Sequence, residues 1–333
     1  MRPSVRAFCG TLAVLLAGCG SAATVVAGLP ATVAAGHTLT TSQAAAGGGL
    51  IVFGGVRWGT SSVSPSIYVI GAYGRGMRRL TNTANFEDVD PAWRPDGQQI
   101  AFARRDARGW RLYVMSADGR RLRAISPTFS DARAPAWSPD GRRLAFASLP
   151  LHVPTTGSLS EQIAVINADG SGLRVLTRST MFKGGAAHPV WSPDGQTILF
   201  SARMSSAEGA RADVWAIHPT GGGLRRLIVD ASDPALSPDG HSIAFSRHGD
   251  LYIATSAGNR LRRLTHGYYA DSSAPDWSPD GTQIAYATAL YDNHQQEVAE
   301  RLTIIDGDGT HRHGLTRRDP NFWATSPDWR PAS

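Results

Sequence analysis

The sequence is poor in cysteine and in lysine. Its 333 residues include only two cysteines, Cys9 and Cys19, which excludes both a fold stapled by several disulfides and a cysteine-based zinc site. Lys183 is the only lysine, so the net charge of +6 is carried by arginine, and a balance of this size indicates no more than some affinity for anionic surfaces. The motifs G-x-S-x-G, H-E-x-x-H, C-x-x-C and the Walker loop are all absent. The sequence therefore carries no catalytic signature, and we expect no cofactor and no metal.

Long apolar runs are missing as well. The apolar run near the N-terminus, Ala7–Ala17, has eleven residues, whereas a membrane-spanning helix needs about 20. It leads into LAGC at 16–19, which resembles the bacterial lipobox. This resemblance implies cleavage after Gly18 and lipidation of Cys19, and the alternative is an ordinary secretory signal that is cleaved elsewhere. We expect a lipoprotein signal peptide at 1–18 and, from its Ala, Gly, Ser and Thr content, a flexible tether at 19–49. Lipidation would place the protein in the bacterial cell envelope, outside the cytoplasm, on the periplasmic or the cell-surface side.

The remainder of the chain, 50–333, is built from one sequence repeat. A Trp-x-Pro-Asp-Gly motif is complete five times, once with leucine in place of tryptophan, and starts a sixth time at 326–333. An apolar triplet follows each complete motif, and a second pattern, typified by LYIATSAGNRLRRLT at 251–265, occurs six times. The first residues of the motif, 41 to 54 positions apart, are Trp93, Trp137, Trp191, Leu236, Trp277 and Trp329. Periods of this length are typical of propellers and solenoids.

Each repeat predicts four short strands, a to d. Strand a ends at the tryptophan, Pro-Asp-Gly forms the a–b turn, and the apolar triplet is strand b. The alternating segment is strand c, and L-R-R-L-T is strand d. Six such units predict an all-β fold, a six-bladed β-propeller of four-stranded antiparallel blades. Because the last repeat shows strand a alone and 50–53 resembles a lone strand b, we expect a velcro closure in which the N-terminal strand completes the C-terminal blade.

The W-S-P-D-G-x-x-I-A-F repeat resembles the TolB-type WD-like propeller repeat over nearly all of 50–333. The motif is specific to that repeat family and not to one function. The family resemblance implies a domain order for TolB-type proteins in which an N-terminal α/β domain precedes the propeller. Here a signal, a tether and a propeller account for the sequence. What TolB does through its N-terminal domain is therefore not carried over. Contact of the propeller with a peptidoglycan-associated lipoprotein is an expectation that the resemblance implies.

The loops predict a binding surface. In a propeller the d–a and b–c loops share the face that holds the channel mouth, and here the d–a loops carry aromatic and acidic residues in most repeats. We expect a mouth suited to a peptide, a glycan or a partner surface. The alternative is that the rings wedge between blades and the acids cap turns. The candidate residues are Phe182, Tyr268, Tyr269, Phe322, Trp323, Asp90, His188, Asp233 and Asp271.

The opposite face carries arginine. Arginines follow the c–d turns at one repeat position and so form a ring, not a stripe, which argues against nucleic acid as a partner. A ring on the side where the tether enters predicts a lipid-facing rim, and the alternative is a solvated rim that keeps the outer strands soluble. The rim residues are Arg78, Arg79, Arg120, Arg121, Arg225, Arg226, Arg262 and Arg263.

Two functions remain open. The first is a monomeric, non-enzymatic, membrane-anchored scaffold that binds an envelope protein or a cell-wall glycan or peptide. The second is a propeller enzyme, a glycan lyase or hydrolase, that uses mouth residues such as Asp90, His188, Asp233 and His266. Propellers host both classes, and the absence of a catalytic motif favours the first.

Overall fold

The computed structural model describes residues 49–58, 64–82, 85–126, 131–150, 160–205, 207, 210–267, 270–294 and 296–332. The secondary structure of these residues consists of 24 β-strands. In chain order they are β1 (Leu50–Arg57), β2 (Ser66–Gly71), β3 (Arg78–Arg79), β4 (Glu87–Trp93), β5 (Gln99–Asp106), β6 (Gly109–Ser116), β7 (Arg123–Ala124), β8 (Arg133–Trp137), β9 (Arg143–Ser148), β10 (Gln162–Asn167), β11 (Arg174–Val175), β12 (Ala186–Trp191), β13 (Ile198–Ala202), β14 (Asp213–Ile217), β15 (Arg225–Ile228), β16 (Ser232–Leu236), β17 (Ser242–Arg247), β18 (Asp250–Thr255), β19 (Arg262–Arg263), β20 (Ala270–Trp277), β21 (Gln283–Tyr291), β22 (Glu297–Asp306), β23 (His313–Gly314) and β24 (Phe322–Trp329).

The described strands form six antiparallel sheets of four strands each, which we call blades. Blade 1 consists of β24, β1, β2 and β3. Blades 2 to 6 follow in chain order as β4–β7, β8–β11, β12–β15, β16–β19 and β20–β23. In blade 1, β24 pairs with β1, so that Trp329 lies opposite Ile51 and Trp323 opposite Val56. The predicted all-β, six-bladed propeller is confirmed.

The Pro-Asp-Gly turns are held by their own aspartates. In blade 3, Ser138 Oγ and the backbone N–H of Arg142 donate to Asp140 Oδ1 at 2.6 and 3.0 Å. Gly141 closes the turn in the left-handed conformation, with φ of 64°. The serine hydroxyl and the backbone N–H lower the pKa of the aspartate, burial opposing them. The same pair of contacts recurs at Asp194, Asp239 and Asp280. The aspartate of the motif is thus a turn residue and not a ligand-binding one.

The first strands of the blades form the inner wall. Each of β4, β8, β12, β16, β20 and β24 contacts the next, and β24 contacts β4, which closes a ring around a central channel. Apolar clusters fill the space between neighbouring blades. One of them joins Val114 of blade 2 to Trp137 and Phe146 of blade 3. Indole N–H groups also tie neighbouring blades together. Trp137 Nε1 of blade 3 donates to the Ala92 carbonyl of blade 2 at 3.2 Å, and Trp191 Nε1 of blade 4 donates to the Ala136 carbonyl of blade 3 at 3.1 Å.

The propeller has two faces. The d–a and b–c connections meet on the face where the inner strands begin, which we call the upper face, and the opening of the channel there is the mouth. The a–b and c–d turns lie on the opposite, lower face. The described ranges contain no helix that is long and apolar enough to cross a membrane.

Candidate functional site

The same distortion occurs in each of the six inner strands. The residue before the strand-a proline has a positive φ, between 47° and 52°, and the pairing with strand b shifts at that point. Bulges of this kind bend a strand and redirect a side chain, and residues other than glycine adopt this conformation only when the surrounding structure imposes it. We call these six positions the ring: Asp90, Ala134, His188, Asp233, Ala274 and Ser326.

Two ring residues of neighbouring blades form an ion pair. His188 Nδ1 lies 2.7 Å from Asp233 Oδ1, and the two side chains are 26% and 14% exposed. Burial lowers the pKa of His188, but the carboxylates of Asp233, Asp90 and Glu161 outweigh it and raise that pKa to about 9. Burial raises the pKa of Asp233, while the His188 imidazole and nearby hydroxyls lower it below its usual range. At neutral pH the site therefore holds an imidazolium and a carboxylate.

The ring continues on the other side of the channel. Ser326 Oγ donates to Asp90 Oδ1 at 3.3 Å, which links blade 1 to blade 2. Asp90 also raises the pKa of His188, although the two residues belong to blades that are not neighbours, so these charges act across the channel. Of the predicted site residues, the structure thus brings Asp90, His188 and Asp233 together. His266, which the enzymatic alternative invoked, is exposed and lies in the connection from β19 to β20, not on an inner strand.

The channel wall has a second polar level, which the repeat pattern does not predict. The residue before the last position of strand a is Ala92, Ala136, Val190 or Ala235 in four blades, but Asp276 in blade 6 and Asp328 in blade 1. Asp276 accepts the backbone N–H of Trp329, and Asp328 accepts that of Trp93, both at 2.6 Å. Burial raises the pKa of both carboxyls, and the charge of Asp276 raises that of Asp328 further. The sequence feature that could have revealed this polar level is a carboxylate in place of a small apolar residue, at the position before the last residue of strand a.

The structure corrects two of the aromatic predictions. Phe182 is 1% exposed and packs against Phe200 and Trp215, with ring centroids 5.7 and 5.1 Å away. Phe322 is 3% exposed and packs edge-on against Tyr68 at 5.2 Å. Both rings are part of the core between blades and are not available to a ligand, because the d–a loop enters the strand at that point and fills the gap between sheets.

Other predicted residues remain at the upper face. Trp323 is half-buried and packs edge-on against Trp58, with ring centroids 5.9 Å apart. Asp271, the second residue of β20, lies beside the mouth and accepts a hydrogen bond of 3.1 Å from the Tyr291 hydroxyl. Tyr268, Tyr269 and Cys19 lie outside the described residues, as do the signal at 1–18 and the tether at 19–49 apart from Gly49.

The predicted rim arginines are exposed on and beside the outermost strands, where several of them hold blades together. Arg78 Nη2 donates to the Ala117 carbonyl of the next blade at 3.4 Å, and Arg262 reaches the Asp308 and Gly307 carbonyls at 2.6 and 2.8 Å. Within their own blades, Arg79, Arg226 and Arg263 bond to residues at the start of strand c. Arg120 and Arg121 are exposed and line a cavity of about 420 Å³ on the lower face, together with Arg330.

The described residues contain no group of three or more His, Cys, Asp or Glu side chains that could hold a metal ion. The ring offers hydrogen-bond acceptors, one imidazolium and one hydroxyl around the channel opening. This arrangement can bind a polar segment that enters the channel, and it holds no nucleophile activated by a neutral histidine.

Comparison with known proteins agrees with this fold. The family described as "TolB beta propeller domain" matches residues 128–333, more than half of the chain. The "Tol-Pal system protein TolB" of Rhizorhabdus wittichii is 37% identical over 79 residues, which cover 23% of this chain and 16% of that protein. The "Uncharacterized peptidase YuxL" of Bacillus subtilis is 30% identical over 142 residues, or 39% and 22% of the two chains. The matched segments thus span less than a quarter of these curated relatives.

A solved structure resembles nearly the whole propeller. The crystal structure of TolB from Acinetobacter baumannii superposes with a TM-score of 0.69 and covers 85% of this chain and 67% of that chain. The two sequences are 20% identical in that alignment, a similarity that shows the fold alone.

Proposed function

This chain belongs to the TolB beta propeller domain family, and from that membership we propose that its propeller is a binding scaffold of the bacterial cell envelope, holding a protein ligand at the mouth of the central channel. The observation that carries the proposal is the ring, in which the His188–Asp233 ion pair and the Ser326–Asp90 hydrogen bond meet around one opening. A relative named as part of a Tol-Pal system supports the expectation of a protein partner.

Binding fits the chemistry of the ring better than catalysis does. A general base near neutral pH needs a neutral imidazole, whereas carboxylates raise the pKa of His188 to about 9 and keep it protonated. An imidazolium flanked by acceptors can donate to a backbone carbonyl while the carboxylates accept backbone N–H groups. A polypeptide segment supplies both kinds of partner along one strand.

One contact favours a second candidate function. A tight His–Asp pair at a channel mouth is also what a lyase or hydrolase would use, with His188 as a general acid. This enzymatic alternative is supported by a relative named as an uncharacterised peptidase. It requires a substrate that is turned over, and the ring has no metal-binding set in the described residues to assist it.

The location proposed for the scaffold rests on the N-terminal sequence. LAGC at 16–19 supports lipidation of Cys19, and the segment 19–49 would serve as a flexible tether. The exposed Arg120 and Arg121, with Arg78 and Arg262 at the c–d turns, would turn the lower face toward anionic lipid and present the mouth outward. A Cys19→Ser variant should then leave the membrane fraction; if it still sediments with membranes after a high-salt wash, the anchor is wrong.

The function is tested by affinity capture from detergent-solubilised envelope of the native organism. We expect the wild type to capture one discrete protein. Ala274→His should lose that protein, because the larger side chain adds bulk at the ring. The fold should accept the substitution, because a histidine already occupies the equivalent left-handed position 188. The control is Arg121→Gln on the lower face, which should capture as wild type does. Equal capture by all three proteins would refute the mouth as the binding site. Conversion of a cell-wall oligosaccharide or peptide that Ala274→His abolishes would establish the enzyme.

A further inference from the structure

A second polar site lies on one side of blade 6. In the sheet, Asp271 pairs with Ala289 and Ala289 pairs with Glu300, so the three side chains share one face of the blade. Tyr291, two residues after Ala289, is on the same face and pairs with Glu297. Asp271, Tyr291, Glu297 and Glu300 form what we call the blade 6 pocket, at the upper end of the sheet.

Glu300 has an unusual position in this pocket. It is 8% exposed, and within the described part of the chain its carboxyl has neither a hydrogen bond nor an ion pair. Buried carboxyls are normally paired, because an unpartnered one loses its hydration without compensation. Glu297, by contrast, is exposed, so the four side chains extend from the protein surface to the buried Glu300.

The charges in the pocket repel one another. Burial and the Glu297 carboxylate raise the pKa of Glu300 to about 8, and burial and Asp271 raise that of Glu297. Burial and the charges of Asp271, Glu297 and Glu300 raise the pKa of Tyr291 as well. The neighbouring Arg301 does not offset them, because it pairs with Thr288 on the other face and its guanidinium lies against Gly314.

We propose that the blade 6 pocket binds an arginine side chain of the protein ligand, with Glu300 and Glu297 as the acceptors for its guanidinium. This inference rests on the proposed function, since the ligand at the mouth would supply the arginine. A guanidinium presents several donors in one plane and matches carboxylates better than an ammonium does. The Tyr291 ring offers a cation–π surface beside them. A metal ion is a poorer fit, because the described residues contain no set of three ligands arranged for one.

The test uses the full chain labelled at the glutamate side-chain carboxyl carbon, and follows it by NMR. The sequence has five glutamates, so their signals can be assigned by substitution. At pH 7 we titrate Nα-acetyl-arginine amide and, as its neutral counterpart, Nα-acetyl-citrulline amide. We expect the arginine probe to shift the Glu297 and Glu300 signals and to lower the pKa of Glu300 by one unit or more, which corresponds to about tenfold tighter binding to the ionised form.

A variant and a matched control complete the experiment. At pH 9, where the wild-type Glu300 carboxyl is mostly ionised, Glu300→Gln should bind the arginine probe about tenfold more weakly. Glu87→Gln, on the upper end of blade 2, should bind it as the wild type does. Equal shifts with arginine and citrulline, or equal shifts at all five glutamates, would overturn the pocket. If the probe fails while Ala274→His still abolishes partner capture, the pocket is wrong and the scaffold function stands. If the probe binds while capture ignores Ala274→His, only the scaffold function fails.

Discussion

The Asp328 carboxylate accepts a hydrogen bond of 2.6 Å from the backbone N–H of Trp93, 235 residues earlier in the chain. The bond joins the inner strand of blade 1 to that of blade 2. Asp276 makes the corresponding bond to Trp329 one blade back. Two neighbouring carboxyls in the channel wall therefore hold three consecutive blades together, at an electrostatic cost that depends on pH.

Replacing one of these carboxyls should stabilise the propeller at high pH. The pKa of Asp328 is raised in the folded state above its ordinary 3.8, so the folded protein binds protons more tightly, and its stability falls as pH rises through the interval between the two values. Asp328→Asn keeps an acceptor for Trp93 without the charge. We expect its free energy of unfolding at pH 8 to exceed that of the wild type by about 2 kcal/mol, with no difference near pH 3.

Denaturant unfolding at both pH values measures this difference. Asp280→Asn is the control with the opposite sign, because hydrogen bonds lower the pKa of Asp280 and its substitution should cost stability at pH 8. An Asp328→Asn protein that is no more stable than the wild type at pH 8 would show that ionisation of the channel carboxyls does not destabilise the folded state.

The His188–Asp233 pair should stabilise the fold within a pH window. The contribution of the protonated His188 imidazole to the free energy of unfolding is complete below the ordinary histidine pKa of 6.5. It is lost as pH rises through the folded-state pKa of about 9. On the acid side it is lost as the lowered pKa of Asp233 is passed. We expect His188→Gln to lower the free energy of unfolding by about 2 kcal/mol at pH 6 and to match the wild type near pH 10. A difference that stays constant from pH 6 to pH 10 would contradict the ion pair.

Two adjacent acidic residues of blade 2 should differ sharply in their effect on stability. Asp88 is fully buried and accepts two hydrogen bonds from Arg104, at 2.6 and 2.8 Å, whereas Glu87 pairs with an exposed Arg105 at 3.3 Å. Asp88→Asn should cost about 3 kcal/mol, because it leaves a buried guanidinium without its counter-charge. Glu87→Gln should cost less than about 0.5 kcal/mol. Similar melting temperatures for the two variants would contradict this assignment.

The neighbours Phe322 and Trp323 should separate folding from binding. Phe322→Ala removes a ring from the core between blades and should cost about 3 kcal/mol of stability. Trp323→Ala acts at the half-buried upper edge, and we expect a loss of partner capture of tenfold or more with a smaller loss of stability. Thermal melts and capture on the same preparations distinguish the two effects, and the reverse pattern would place Trp323 in the core.

The repeat predicted the blades because its local signals agree. Each repeat combines a Pro-Asp-Gly turn, a strand b that is buried on both sides and an alternating strand c. Together these features leave one architecture for 50–333, the propeller. The repeat also placed Asp90, His188 and Asp233 at equivalent positions, from which their meeting at the channel follows.

The contacts between blades could not be predicted in the same way. An aromatic side chain such as that of Phe182 can be exposed or can pack between two blades. Which of the two occurs depends on the distance between neighbouring sheets, and the sequence of one blade does not contain that distance. The partners of Arg78 and Arg262 are carbonyls of the following blade, and a carbonyl has no sequence signature. Asp276 and Asp328 are departures from the repeat, whereas Glu300 has a counterpart in Glu161 of blade 3. The roles of all three depend on neighbours that the repeat does not specify.

Site-specific photo-crosslinking in living cells tests the central claim most directly. A benzophenone amino acid replaces Trp323 at the mouth or, as the matched control, Tyr73, which is 71% exposed in a turn of the lower face. We expect a crosslink from position 323 to one discrete envelope protein, absent at position 73 and abolished when Ala274→His is added. A crosslink from position 73 with none from position 323 would contradict binding at the channel mouth.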